Sequence, residues 1–136
     1  MSHNTLYVLP GNPVALARPR FSRNKVFDSQ KLLKINHGLV VKNIHGDKPF
    51  FKGPLKMLIL FFLRVPKSKT SKKKYANIEG THHLTRPDID NCIKYVLDIC
   101  NNVLFRDDSI ISEVHAKKFY SFNPRTEFMI TELSNE

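Results

Sequence analysis

Between Leu55 and Val65 the chain reads Leu-Lys-Met-Leu-Ile-Leu-Phe-Phe-Leu-Arg-Val, with six consecutive large apolar residues from Leu58 to Leu63. That run does not alternate, as expected for a strand covered on both faces. It is also far shorter than the roughly 20 apolar residues a membrane-crossing helix requires. The segment is therefore expected to be the central strand of a sheet, and no other run comes closer to a membrane span. At 136 residues, 41% of them hydrophobic, with ten Phe, the chain suits one domain, 1–136, that buries about two-thirds of its unfolded surface around a single core. Met1-Ser2-His3-Asn4-Thr5 offers no basic region followed by an apolar stretch, so a secretory signal is not expected and the protein reads as cytosolic.

The elements around this strand follow from local patterning. Leu6 to Leu9 reads as a first strand, closed by the turn signals Pro10-Gly11-Asn12-Pro13. Arg18, Pro19, Arg20, Phe21, Arg23 and Lys25 then suggest a loop, because proline opposes a helix and the charge opposes burial. Asp28 or Ser29 can cap a helix from about Gln30 to Ile44, whose expected apolar positions are Leu32, Leu33, Ile35, Leu39 and Val40. Pro66 to Tyr75, with Lys67, Lys69, Lys72, Lys73 and Lys74 among Ser and Thr, has no apolar periodicity and reads as an exposed, mobile basic loop. Asn91 to Val103 places Ile93, Val96, Leu97, Cys100 and Val103 on one helical face, with Asp90 as N-cap. Ile110 to Tyr120 and Glu127 to Leu133 read as strands joined in a final hairpin through Asn123-Pro124. The fold class expected is α/β, a small mixed sheet with helices packed on it. Cys92 and Cys100 lie about 12 Å apart along their helix. They cannot pair there, and both are expected in the core.

Charge is distributed unevenly. The formal net charge is +10, yet Asp88, Asp90, Asp98, Asp107 and Asp108 share one short window, leaving only Asp28 and Asp47 outside it. A chain this basic gains on phosphate backbones through counterion release. Clustered carboxylates are repelled by phosphate unless divalent cations lie between them. Asp88 and Asp90 enter at a helix N-terminus, where capping alone could explain them. A helix of about 18 Å, at 1.5 Å per residue, can be retraced by residues 103–108 at about 3.3 Å each, which brings the second acidic pair back beside the first. Alternation along the next strand groups Asp108 with Ile110, Val114 and Ala116 toward the helix, so Asp108 is better aimed than Asp107, although a solvated turn is the plain alternative for both. Three such carboxylates suit Mg²⁺, with Mn²⁺ as substitute, and phosphodiester hydrolysis. Lys94, one turn beyond Asp90, either pairs with Asp90 or Asp98 or offsets charge on a phosphate. Asn91 could orient a carboxylate, and His83 reads as a solvated loop histidine.

His83-Leu84-Thr85-Arg86-Pro87-Asp88-Ile89-Asp90-Asn91, then Lys94, Asp98, Phe105-Arg106-Asp107-Asp108 and Lys117, resemble the RusA family of Holliday junction resolvases. The resemblance implies a small α/β fold, a homodimer, and Mg²⁺-dependent nicking of four-way DNA junctions in recombination and repair. It further implies a bacterial or phage-encoded cytoplasmic protein. It puts the essential carboxylates on Asp88, Asp90 and Asp108 and the helical lysine on Lys94. The lysine-rich segment and Arg18-Pro19-Arg20-Phe21 depart from the family's pattern. One carboxylate cluster makes one incision, whereas a four-way junction needs two symmetric nicks, so a two-fold dimer is expected. Four-way or other branched DNA should meet Arg18, Arg20, Phe21, Arg23, the five loop lysines and Arg86. Two rivals share these features: a basic binding module whose acids only cap and solvate, and a general Mg²⁺ nuclease for flaps or RNA.

Overall fold

A computed structural model describes residues 5–70 and 76–134. Strand β1 (Tyr7–Pro10) leads to a small hairpin of β2 (Arg20–Ser22) and β3 (Lys25–Phe27). Helix α1 (Lys31–His45), strand β4 (Leu55–Arg64) and a short helix α2 (Lys67–Thr70) follow. Helix α3 (Ile89–Cys100), a 3₁₀ turn (Asp108–Ile110), β5 (Ile111–Ser121) and β6 (Arg125–Glu132) complete the chain. The main sheet has the order β1-β6-β4-β5, with β4 parallel to β5 and the other neighbours antiparallel. This is the mixed α/β architecture expected, with β4 inside the sheet.

The final two strands do not form the anticipated hairpin, because β4 lies between β5 and β6. A parallel pair needs a long crossover, and the segment between β4 and β5, including α3, supplies it. After β5 the chain turns over the end of β4 and returns along its other edge. The apolar run of β4 thus has hydrogen-bonded neighbours on both sides.

Its two faces are not equally covered. Leu55, Met57, Ile59, Phe61 and Leu63 are buried and join Tyr7, Leu9, Phe128 and Ile130 beneath α1 and α3. On the opposite face Leu58 is exposed, and Leu60 and Phe62 are only half-buried. The expectation of a strand covered on both faces is corrected to one covered face, since both long helices among the described residues pack on the same side.

α1 departs from the apolar face read in its sequence. Leu32, Leu33, Ile35, Leu39 and Val40 are all exposed, while Gly38, Val41 and His45 are buried. The helix is oriented by small and polar anchors instead. Gly38 faces α3, where an added Cβ would lie 3.6 Å from the Ile99 carbonyl oxygen. His37 Nδ1 is 2.6 Å from the Tyr95 hydroxyl, and His45 Nδ1 is 2.7 Å from the Tyr7 hydroxyl. Lys34 bridges Asp28 at 2.6 Å and Asp98 at 3.2 Å. Burying these polar groups demands partners, and that demand outweighs the hydrophobic preference of the opposite face.

α3 begins two residues earlier than expected and stops at Cys100, not Val103. Asn102 adopts φ 61°, in the left-handed region, which ends the helix. Cys92 and Cys100 are buried core thiols, as anticipated.

Candidate active site

The site-bearing segment before α3 is held against β5. His83 donates its amide to the Lys118 carbonyl at 3.0 Å, and Tyr120 donates to the Thr81 carbonyl at 2.9 Å. His83 itself is buried and packs against Tyr120, the rings tilted at 52° with centroids 4.6 Å apart, correcting its reading as a solvated loop residue. The Lys118 ammonium donates to the carbonyls of Thr85 at 2.8 Å and Pro87 at 2.7 Å. One cation on the sheet therefore fixes the backbone on either side of Arg86. Lys118 was missed from the sequence. Its register opposite buried Phe61 places it on the helix-covered face, a pairing that no local signal in the sequence gives.

Asp88 is the N-cap of α3 by position, and Asp90 lies in its first turn, so the expected Asp90 cap moves two residues upstream. The Asp88 carboxylate makes no capping hydrogen bond. Both side chains are exposed at the positive end of the helix dipole. Among the described residues no salt bridge engages Asp88, Asp90, Asp108 or Lys94. Lys94 is exposed on α3, and Asp98, its alternative partner, is bonded to Lys34 instead. The buried Cys92 thiol registers this electrostatic setting. Burial pushes its pKa up to about 11, with Lys118 pulling it down and Asp90 and Asp88 adding to the rise.

The second acidic pair divides its labour. Asp107 caps the 3₁₀ turn, its carboxylate accepting from the Ser109 amide at 3.0 Å. The Ser109 hydroxyl and then its amide hold the Asp107 carboxyl below its ordinary range. Asp108 opens the turn, half-buried, and its carbonyl accepts from the Ile111 amide. It stands before β5, not on it as alternation suggested. The turn packs on α3 and is pressed by Gly53, where a Cβ would come within 2.7 Å of Ile110 Cβ.

Among the described residues no three His, Cys, Asp or Glu side chains stand together as a set that could hold a metal ion. The donor chemistry nonetheless fits a hard cation. Asp88 and Asp90 are exposed carboxylates on one helical turn, Asp108 lies on an element packed against that helix, and oxygen ligands suit Mg²⁺.

The basic residues occupy two regions. Arg20 and Phe21 lie on β2 and Arg23 in its turn, where Arg23 and Asn24 take φ 48° and 65° and close a two-residue hairpin. The loop expected there is thus a hairpin with Arg18 leading into it. Phe21 is 78% exposed and takes no part in the core. Lys67 and Lys69 belong to α2, so the expected loop begins as helix, while Lys72, Lys73 and Lys74 lie outside the described residues. Arg86 is exposed beside Asp88.

Comparison with known proteins matches residues 10–131 to the model of the family described as Endodeoxyribonuclease RusA. The chain is also 35% identical over 136 residues to "Uncharacterized protein YqaN" of Bacillus subtilis (strain 168), covering 94% of this chain and 96% of that protein. With the mixed sheet and a match that spans both acidic pairs, the chain belongs to the RusA endodeoxyribonuclease family.

Proposed function

We propose that this chain is a Mg²⁺-dependent, structure-selective endodeoxyribonuclease that resolves four-way DNA junctions by paired symmetric nicks, as a homodimer. Family membership implies a Holliday junction endonuclease. The observation that carries the reading is that Asp88 and Asp90 stand exposed at the start of α3, in no salt bridge among the described residues, in a chain of net charge +10. Capping does not occupy the Asp88 carboxylate, and Asp107, not Asp108, is committed to the turn.

Asp88, Asp90 and Asp108 would hold Mg²⁺, with Mn²⁺ as substitute. A bound ion of this kind supplies charge stabilisation at phosphate and makes water a competent nucleophile near neutral pH. Lys94 offsets the charge that develops on the phosphate, and Arg86 orients the DNA strand at the mouth of the site. Lys118 acts through the backbone, holding Asp88 in place. The hairpin cations Arg18, Arg20 and Arg23, with Lys67, Lys69, Lys72, Lys73 and Lys74, supply sequence-independent contacts to phosphate. Phe21 is presented as an apolar wedge beside opened base pairs. Among the described residues no helix is long and apolar enough to cross a membrane, and a DNA substrate assigns the protein to the cytoplasm of a bacterium or of a phage-infected cell.

The deciding experiment incubates the purified protein with a synthetic four-way junction, a flap, a plain duplex and an RNA duplex, each with and without Mg²⁺. Symmetric nicks in the junction that require Mg²⁺ are expected. Tight junction binding without cleavage would leave a binding module, and equal cleavage of flap or RNA would leave a general nuclease.

A further inference from the structure

The face of the sheet turned away from the helices is not surfaced as a wet face should be. Such a face ordinarily carries polar residues, yet Leu58, Leu60 and Phe62 of β4 alternate onto it. Near the end of β4 it bears a row of flat groups. Register sets Phe62 between Phe119 of β5 and Arg125 of β6, and a bridge sets His82 beside Phe119. The Arg125 guanidinium lies over the Phe62 ring, 3.9 Å from its centroid. The Phe62 and Phe119 centroids are 5.8 Å apart and those of Phe119 and His82 5.3 Å, with the planes tilted by 31° and 35°. Planar groups on neighbouring segments therefore cross the sheet in one line. Phe62, Phe119 and Arg125 are half-buried and His82 is exposed, so each keeps surface open to solvent.

We infer that this row is a stacking platform for single-stranded DNA, on the side of the sheet opposite α3. Every base has a π-face, so aromatic rings and guanidinium planes hold single strands with little regard to sequence. Duplex is the poorer occupant, because its bases already stack on one another. The backbone has cations to follow. Arg64 and Lys117 are exposed on the same face, and Lys67 opens α2 just past the end of β4. Glu127 and Glu79 oppose them, but both are engaged: Glu127 accepts from Arg125 Nε at 2.6 Å and Glu79 from the Phe122 amide at 2.7 Å. Arg64, Lys67, Lys117 and Arg125 thus outnumber the two carboxylates at this end. Lys56 and Glu113 pair in register at the far end of the face and cancel. His82 precedes Asp88 in the segment that Lys118 fixes, so the row leads into the chain that carries the candidate site. The inference deepens the junction-nicking reading and rests on it for the source of the strand, DNA unpaired beside the cut.

The test measures fluorescence anisotropy of labelled oligo-dT of about 15 nucleotides, near the upper site size of such platforms, with the full-length protein in EDTA. A duplex of the same length is the comparison. Phe62→Leu and Phe119→Leu keep apolar volume and charge but remove the π-face. Each should weaken oligo-dT binding about fivefold or more, with duplex binding unchanged. His82→Ala should act in the same direction, and its exposed position removes the question of folding, which thermal unfolding checks for the other two. Oligo-dT carrying 5-iododeoxyuridine should photocrosslink to Phe62, Phe119 or His82, located by mass spectrometry. Unchanged oligo-dT affinity in the variants, equal losses for duplex and single strand, or crosslinks confined to the β2–β3 hairpin would overturn the inference. Tighter binding of oligo-U would overturn its assignment to DNA. Because no metal is present, the outcome is separable from the nuclease reading: ring-dependent oligo-dT binding without junction cleavage sinks only the latter, and cleavage by a protein that ignores oligo-dT sinks only the platform.

Discussion

At the scale of single residues, the proposed chemistry rests on Asp88, Asp90 and Asp108, none of which is in a salt bridge among the described residues. Asp88→Asn, Asp90→Asn and Asp108→Asn should each abolish junction cleavage while retaining or tightening junction binding, since each removes a cation ligand and a negative charge near phosphate. Asp107→Asn should be milder, because its carboxylate is bonded to Ser109. Cleavage and gel-shift assays at matched Mg²⁺ separate these outcomes, and near-normal cleavage by any of the first three would remove that residue from the site. On the proposed reading Lys118 is a positioning residue. Lys118→Met leaves the Thr85 and Pro87 carbonyls without their charged donor, with an expected loss of about 1.5–3 kcal/mol in urea unfolding. It should also slow cleavage at saturating junction with little change in affinity, and Lys118→Arg should restore part of the rate.

At the scale of elements, two glycines make opposite predictions. At Gly53 a methyl would overlap Ile110, so Gly53→Ala should destabilise by about 1–3 kcal/mol and displace the turn that carries Asp108. At Gly38 a methyl makes ordinary contacts, and Gly38→Ala should stabilise α1 by roughly 0.8–1 kcal/mol through helix propensity. Thermal unfolding of both variants checks the pair. The hairpin gives a further distinction. Phe21 is exposed, so Phe21→Ala should leave stability within about 0.5 kcal/mol and preserve binding to plain duplex. It should reduce the opening of the junction centre, read by 2-aminopurine fluorescence at the crossover. Unchanged opening would exclude the wedge.

At the scale of the whole molecule, the net charge of +10 is expected, on the proposed reading, to set affinity for DNA more than specificity. Replacing Lys67, Lys69, Lys72, Lys73 and Lys74 with Ala should weaken binding to junction and duplex alike. For every lysine that truly touches phosphate, its removal should flatten the slope of log affinity against log salt by about 0.9. An unchanged slope would make this segment a solvated surface only. Among the described residues Leu32, Ile35 and Leu39 on the outer face of α1 are exposed, because both long helices pack on a single face of the sheet.

The sequence by itself determined the types of the longer elements and the central strand, because these rest on local periodicity and turn chemistry, whereas the short β2–β3 hairpin and α2 read as loops. β4, α1 and α3 appear within a few residues of where their patterns put them. The acidic residues at the start of α3 were equally legible, since the residues around them carried the RusA resemblance and helix ends favour Asp. Long-range competition decided the rest. Which face of α1 is buried depended on His37 meeting Tyr95, His45 meeting Tyr7 and Lys34 meeting two aspartates, contacts up to 64 residues apart in the chain. The placement of β5 and β6 on opposite edges of β4 depended on the parallel crossover, which no local signal encodes. Lys118 likewise gains its role only when β5 is set in register beside β4 and the segment before α3 folds over it. A sequence window records a residue's preferences, whereas tertiary structure supplies the distant partners that decide which preference prevails.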